Sequence, residues 1–352
     1  ALISEKGYPH VKVKGEVSIS EDGSKAGIAY RVDEQPLVKM GQVWYQGNFR
    51  TPKRILENEL ELKPEDPFSL AKMLRGQRNL RNMNIFNSVR FKTIGLKEKK
   101  EKVALFVEVE EKKNYFVELG VGYETQRGFF VDSKAGDYNL FGTNKSAWLG
   151  VESSQIGYRA EAAITEPRLF GSRTSANLNV FTERREEFNQ DFGTRIHGAS
   201  LGFTRKFFQK ISTGLNFNFE YRDQFRSDSA KVNYDTDEFE PRSVLTVKPF
   251  IVYDSRDSFI RPQKGLFSSF SVDISNGIQN SVDNFFKYRV DLRYFLTPFR
   301  RVTFACLGRA GYIDPYGDLP KVPDDQLFFL GGTSDVRGFD ENLLRFDANG
   351  DS

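Results

Sequence analysis

The residues best able to do covalent or metal chemistry are few and scattered. His10, His197 and Cys306 are the whole stock of imidazole and thiol in 352 residues. One thiol excludes an internal disulfide framework and a cysteine-based zinc site, and two distant histidines leave little for any metal centre. No GxSxG elbow, Walker loop, GxGxxG or HExxH occurs. Asp347-Ala348-Asn349-Gly350-Asp351 carries oxygen donors like a calcium loop, but its glycine stands at the wrong position. Glu183, Glu186 and Glu187 read as solvated or salt-bridged charge, and Cys306 shares an apolar face with Val302, Phe304 and Tyr312. The expectation is a chain with no catalytic residue, no metal and no cofactor: not an enzyme.

One segment does stand out chemically. Residues 327–339 read Leu-Phe-Phe-Leu-Gly-Gly-Thr-Ser-Asp-Val-Arg-Gly-Phe. Gly331, Gly332 and Gly338 permit tight or left-handed backbone. Arg337, set between Val336 and Gly338 and followed by Phe339, brings a planar guanidinium suited to a bidentate carboxylate pair. A loop long enough to fold back could place that group in a polar cavity, and the sequence must then supply walls for it.

Those walls show as alternation. In 115–124, Tyr115, Val117, Leu119, Val121 and Tyr123 share one face, against Glu118, Gly120, Gly122 and Glu124 on the other. In 286–294, Phe286, Tyr288, Val290, Leu292 and Tyr294 oppose Lys287, Arg289, Asp291 and Arg293. Eleven such strands are predicted, near 114–124, 128–138, 143–153, 156–166, 173–186, 191–206, 209–224, 244–255, 265–276, 284–297 and 299–313. At about 10–16 residues they exceed the 5–6 of a soluble sandwich and suit strands that cross a bilayer at a tilt. No apolar run reaches the ~18 residues of a membrane helix. Asn139-Leu140-Phe141-Gly142-Thr143 and Arg168-Leu169-Phe170-Gly171-Ser172 are near-copies. They predict short turns at one end, with longer loops, including 225–243 and 314–352, at the other.

Composition divides the chain near residue 113. Of 33 Phe, 5 lie in 1–112 and 28 beyond; the first part carries 21 basic and 16 acidic residues, the remainder 30 and 32. The overall charge of +3 offers no basic surface for nucleic acid. Before the boundary, 38–45 reads as a strand leaving at Gly47-Asn48. Thr51-Pro52 reads as a helix start, and Asp66-Pro67 as a second start before Leu70, Met73, Leu74, Gln77 and Leu80 at helical spacing. Strands 88–97 and 102–112 follow. Residues 10–19 and 26–33 predict a hairpin about Glu21-Asp22-Gly23, and Leu2–Gly7 the end of a helix.

The strand, helix, helix, strand, strand order, with Gly47-Asn48 and Asn84-Ile85-Phe86-Asn87-Ser88-Val89, resembles a polypeptide-transport-associated (POTRA) domain. The Val336-Arg337-Gly338-Phe339 loop, Tyr253-Asp254-Ser255-Arg256-Asp257 with Pro262 and Lys264-Gly265, and the Leu-Phe-Gly turns together resemble the BamA-type insertase superfamily, with TamA-like factors next. The resemblance spans essentially the whole chain. It implies residues 1–35 as the C-terminal part of one POTRA domain, 36–112 as the last POTRA domain, and 113–352 as the N-terminal portion of an antiparallel transmembrane β-barrel. That barrel would have sixteen strands, about eleven of them here, the chain ending in the sixth external loop. It places the protein in the bacterial outer membrane with POTRA in the periplasm. There it would fold and insert β-barrel clients by strand pairing at POTRA edges and at a lateral seam whose first strand is 115–123, where Gly120 and Gly122 weaken packing or make room for a returning loop. The partners implied are unfolded outer-membrane clients, periplasmic accessory lipoproteins and the bilayer, not nucleic acid. Arg337's acidic partner would lie on later strands, absent here. A two-partner secretion transporter and, more remotely, a barrel enzyme share the expected architecture.

Overall fold

The computed structural model describes residues 3–20, 23–125, 127–187, 192–208, 210–226, 240–278, 283–299, 301–317, 322–332, 336–339, 342 and 344. It divides into two compact units, one of residues 1–115 with 138–145 and one of 116–137 with 146–352.

In the first unit, β1 (Lys12–Ile19) and β2 (Ala26–Asp33) pair antiparallel as predicted, with Val13 opposite Val32 and Val17 opposite Ile28. Glu21 and Asp22 of the predicted turn lie outside the described residues, and the predicted helix end is a single 3-10 turn, Ser4–Lys6. The next five elements are β3 (Lys39–Gln46), α1 (Lys53–Leu60), α2 (Leu70–Asn82), β4 (Phe86–Ile94) and β5 (Lys102–Glu111). They form a sheet in the order β3-β5-β4, with β3 parallel and β4 antiparallel to β5. A parallel pair needs a long crossover, which the two helices supply while covering one face. Val103, Leu105, Val107 and Val109 point into the core that this creates, beside Leu56, Leu60 and Leu80.

Three local expectations are corrected. The Thr51 side chain does not cap α1: its hydroxyl accepts from Asn139 Nδ2 at 3.0 Å, and Pro52 sits at the cap position. The Glu111 carboxylate holds the approach to the helix, accepting the Arg50 and Thr51 N–H groups at 2.9 and 2.8 Å. A carboxylate there also suits the positive end of the helix dipole. Asp66-Pro67 does not open α2, which begins three residues later behind Ser69, whose Oγ accepts the Lys72 N–H at 3.2 Å. The buried face of α2 is Met73, Gly76 and Leu80, while Leu70 and Leu74 are exposed. Leucine spacing misled because Gly76, not a leucine, lets α2 close on α1.

The remaining chain is one meander of eleven strands: β6 (Tyr115–Glu124), β7 (Gly128–Leu140), β8 (Lys145–Ser154), β9 (Gly157–Glu166), β10 (Thr174–Glu186), β11 (Phe192–Phe207), β12 (Ile211–Arg226), β13 (Arg242–Asp254), β14 (Gly265–Gly277), β15 (Phe285–Phe299) and β16 (Val302–Pro315). Each pairs with its sequence neighbours, in unbroken order from β6 to β16. This is the strand count expected from alternation. Register keeps the faces consistent across strands, since Leu178 stands opposite Leu201, Leu201 opposite Phe217 and Phe217 opposite Val247. The two Leu-Phe-Gly turns have one conformation: Phe141 and Phe170 have φ of 52° and 51°, and Gly142 and Gly171 both 75°.

Candidate functional site

The polar face of the meander is held by ion pairs between strands. Arg159 of β9 meets Glu183 of β10, and Arg309 of β16 meets Asp291 of β15 at 3.3 Å. The opposite face, carrying Leu149, Val180, Phe219, Ile251 and Leu292, is apolar and exposed. A soluble protein would hide that face. In a membrane-spanning sheet it is the lipid surface, and the charged face lines the interior.

Residues 322–332 lie against that interior face. Asp325, on a 3-10 turn of Asp324–Gln326, has a side chain only 2% exposed. Its carboxylate accepts from Arg222 Nε of β12 at 2.9 Å and from Arg242 Nη2 of β13. Each arginine has a second carboxylate: Arg222 pairs with Glu220, and Arg242 Nε lies 2.8 Å from Asp283 Oδ2. That last contact is an ion pair without hydrogen-bond alignment, so neither Asp283 oxygen has a hydrogen-bond partner among the described residues. Burial pushes the Asp283 carboxyl above the usual carboxylate range, with Arg242 opposing the shift. Glu187, just beyond β10, is raised for the same reason.

Next to the carboxylate, the loop backbone and ring are gripped too. Lys287 Nζ of β15 donates to the Gln326 carbonyl at 2.6 Å and sits 4.3 Å from the centroid of the Phe328 ring. Gly311 of β16 makes room for that ring: a Cβ there would stand 2.5 Å from Phe328 Cζ. Phe329 packs near Phe192 of β11, centroids 6.4 Å apart. Five strands therefore contribute to one seat for the loop.

The described ends of the predicted motif are bonded to each other beyond this seat. Gly331, Gly332 and Gly338 take φ of 121°, 85° and 99°, and the Gly332 N–H donates to the Phe339 carbonyl at 3.0 Å. Thr333, Ser334 and Asp335 lie outside the described residues. Arg337 and Phe339 are exposed, Val336 partly buried, and Arg337 makes no ion pair among the described residues. The described part of the loop is held by a different charge pair, in which the loop supplies the carboxylate, Asp325, and the strands supply the arginines. Asp325 escaped the sequence reading because an aspartate beside Pro323 and Asp324 looks like ordinary solvated loop charge.

On β6, Tyr115, Val117, Leu119, Val121 and Tyr123 are all exposed, on the face assigned to lipid. Gly120 and Gly122 point the other way, and their space is taken from the neighbouring strand: a Cβ would meet Asp132 Oδ1 at 2.3 Å and Phe130 Cζ at 2.4 Å. Tyr253–Asp257 also folds as a motif: Asp254 accepts from the Arg256 backbone N–H at 3.1 Å, and Asp257 from the Gln263 N–H at 2.9 Å.

Among the described residues, no group of three His, Cys, Asp or Glu side chains is placed to hold a metal ion. Cys306 is exposed, and His197 Nδ1 lies 2.9 Å from Thr182 Oγ1. The calcium-like 347–351 segment lies outside the described residues.

Comparison with known proteins agrees with this architecture. The Omp85 superfamily domain model matches residues 139–351, and the POTRA model, described as a surface antigen variable number repeat, matches 38–112. The chain is 24% identical to the outer membrane protein assembly factor BamA of Nitratidesulfovibrio vulgaris and 20% identical to that of Neisseria meningitidis serogroup B. Each match covers 96% of this chain but only 42% and 44% of those relatives. The crystal structure of Haemophilus ducreyi BamA lacking POTRA domains 1–3 superposes with a TM-score of 0.75 at 16% identity, over 97% of this chain and 68% of that one. CdiB from Acinetobacter baumannii superposes at 0.59, also at 16% identity, over 97% and 63%. A lipid-facing meander with a polar interior, a loop seated on it and a POTRA fold before it, matched over most of its length by the superfamily model, make this chain a member of the Omp85 superfamily, an outer-membrane β-barrel protein with a periplasmic POTRA domain.

Proposed function

We propose that the chain is part of an assembly factor that folds and inserts β-barrel clients into the outer membrane, with residues 1–35 as the C-terminal part of one POTRA domain, 36–112 as the last POTRA domain and 113–352 as the N-terminal portion of the barrel. What supports this reading is the POTRA fold leading directly into β6, the ten-residue first strand of the meander, whose exposed face is apolar and whose outer edge would meet the closing strand at the seam. A client strand cannot enter hydrocarbon with open backbone groups, each costing several kcal/mol. An edge at membrane depth supplies those partners by strand addition. The outer edge of β3 beyond Met40, where residues 65–68 no longer bond it, and the outer edge of β4 would offer the same chemistry to extended clients in the periplasm. Accessory lipoproteins would dock on this periplasmic part, and Arg337, exposed beside Gly338, would pair with a carboxylate of the complete barrel.

The loop seat argues against the transporter reading, because a segment fixed across the polar interior by buried ion pairs narrows any conduit there. The test is a cysteine pair in the full-length protein, one on β6 and one on the closing strand. Cross-linking should stop client insertion into vesicles and reduction should restore it. Undiminished insertion with complete cross-linking would refute the seam. A reduced, folded protein that inserts nothing would refute the assembly function.

A further inference from the structure

The two ends of the meander differ in charge. Strand order alone sorts the connections. Within the second unit, those at the end where β6 begins are 167–173, 208–210, 255–264 and 300–301; those at the other end are 125–127, 155–156, 187–191, 227–241 and 278–284. The first set holds eight basic residues and one acidic, Asp257; the second holds two basic and eight acidic. With POTRA in the periplasm, the basic end is the periplasmic one.

The same turns carry aromatic side chains in an unusual way. Phe170 and Phe208 lie at turn tips with φ of 51° and 48°, a left-handed conformation that bulky residues rarely adopt. They are 97% and 89% exposed. Phe259 and Ile260, in the β13–β14 turn, are 83% and 93% exposed. A strained backbone that leaves a phenyl ring in water loses twice, which is an arrangement expected only where the ring is covered by something.

We propose that this rim binds the periplasmic leaflet of the outer membrane and selects anionic phospholipid there. The rings would enter the boundary between headgroups and acyl chains, continuous with the lipid-facing strand surface. Arg173, Lys210, Arg261, Lys264 and Arg301 would hold phosphate and anionic headgroups beside them. Charge complementarity favours lipid over an unfolded polypeptide, since eight basic side chains confer no advantage on a merely apolar segment.

The test uses the full chain in bilayers of equal phosphatidylglycerol and phosphatidylcholine, with the lipid retained on extraction measured by native mass spectrometry. Phosphatidylglycerol should be enriched, and Arg261→Gln with Lys264→Gln should lower the enrichment about fivefold for each charge removed. Phe170→Asn with Phe208→Asn should reduce total retained lipid; asparagine accepts positive φ, so these variants keep the turn while removing the ring. Equal retention of both lipids, or enrichment unaffected by removing the charges, overturns the proposal. So does a Phe variant that keeps its lipid but no longer binds an unfolded peptide ending in phenylalanine, which would assign the rim to clients. Should the asparagine pair not fold, judged by heat-dependent gel mobility, the charge variants still decide the matter.

Discussion

Asp325→Asn should release the loop from the barrel interior without unfolding the strands. The wild-type carboxylate bridges two arginines whose side chains are 12% and 4% exposed. Removing one partner of a buried ion pair typically costs about 3–5 kcal/mol, because the remaining charge stays desolvated and unmatched. Here Arg222 keeps Glu220 and Arg242 keeps Asp283, which places the cost at the low end, about 3 kcal/mol. Since each 1.4 kcal/mol is tenfold, the equilibrium between seated and released loop should shift roughly 100-fold. The readout is amide exchange of the 322–332 segment. Its Gln326 and Leu327 N–H groups bond the Pro323 and Asp324 carbonyls, and they should lose about that much protection while β12 and β13 keep theirs. Arg222→Gln combined with Asp325→Asn should cost less than the sum of the two, because both act on one network. Unchanged loop protection would refute the reasoning, as would equal loss across all strands, which would mean that Asp325 stabilises the barrel and not the loop.

Two further outcomes follow from the first unit. Gly76→Leu should destabilise the α1–α2 pair by about 1–3 kcal/mol, since even a Cβ at Gly76 would stand 2.7 Å from the Leu60 carbonyl oxygen; amide exchange in α1 of the full chain measures it. Glu65, hydrogen-bonded by Lys102 and close to Lys39, is held below the usual carboxylate range, chiefly by the Lys102 bond. Its depressed folded value means that its contribution is present above the ordinary carboxylate value and lost as pH falls through the lowered one. Acid weakening of the β3–β5 contacts should therefore diminish in Glu65→Gln, and an identical acid profile would count against the pairing.

Much of this molecule is local in origin and was legible in its residues. Alternation at period two, sustained through strands such as 211–226 and 285–299, specifies both the strands and which face meets lipid. A one-residue slip would bury charge in hydrocarbon, so the pattern leaves little freedom in register. The paired Leu-Phe-Gly turns were equally plain, because a turn is built from neighbours in sequence. What only the tertiary structure decided are contacts between distant segments. Asp325 finds Arg222 across 103 residues, Glu111 holds the backbone leading into α1 from 60 residues away, and Gly76 instead of a leucine marks the face where two helices touch. None of these has a sequence period, because each depends on where two separately folded elements meet. An aspartate on a loop carries the same charge in every sequence, and its effect depends on whether water or two buried arginines surround it.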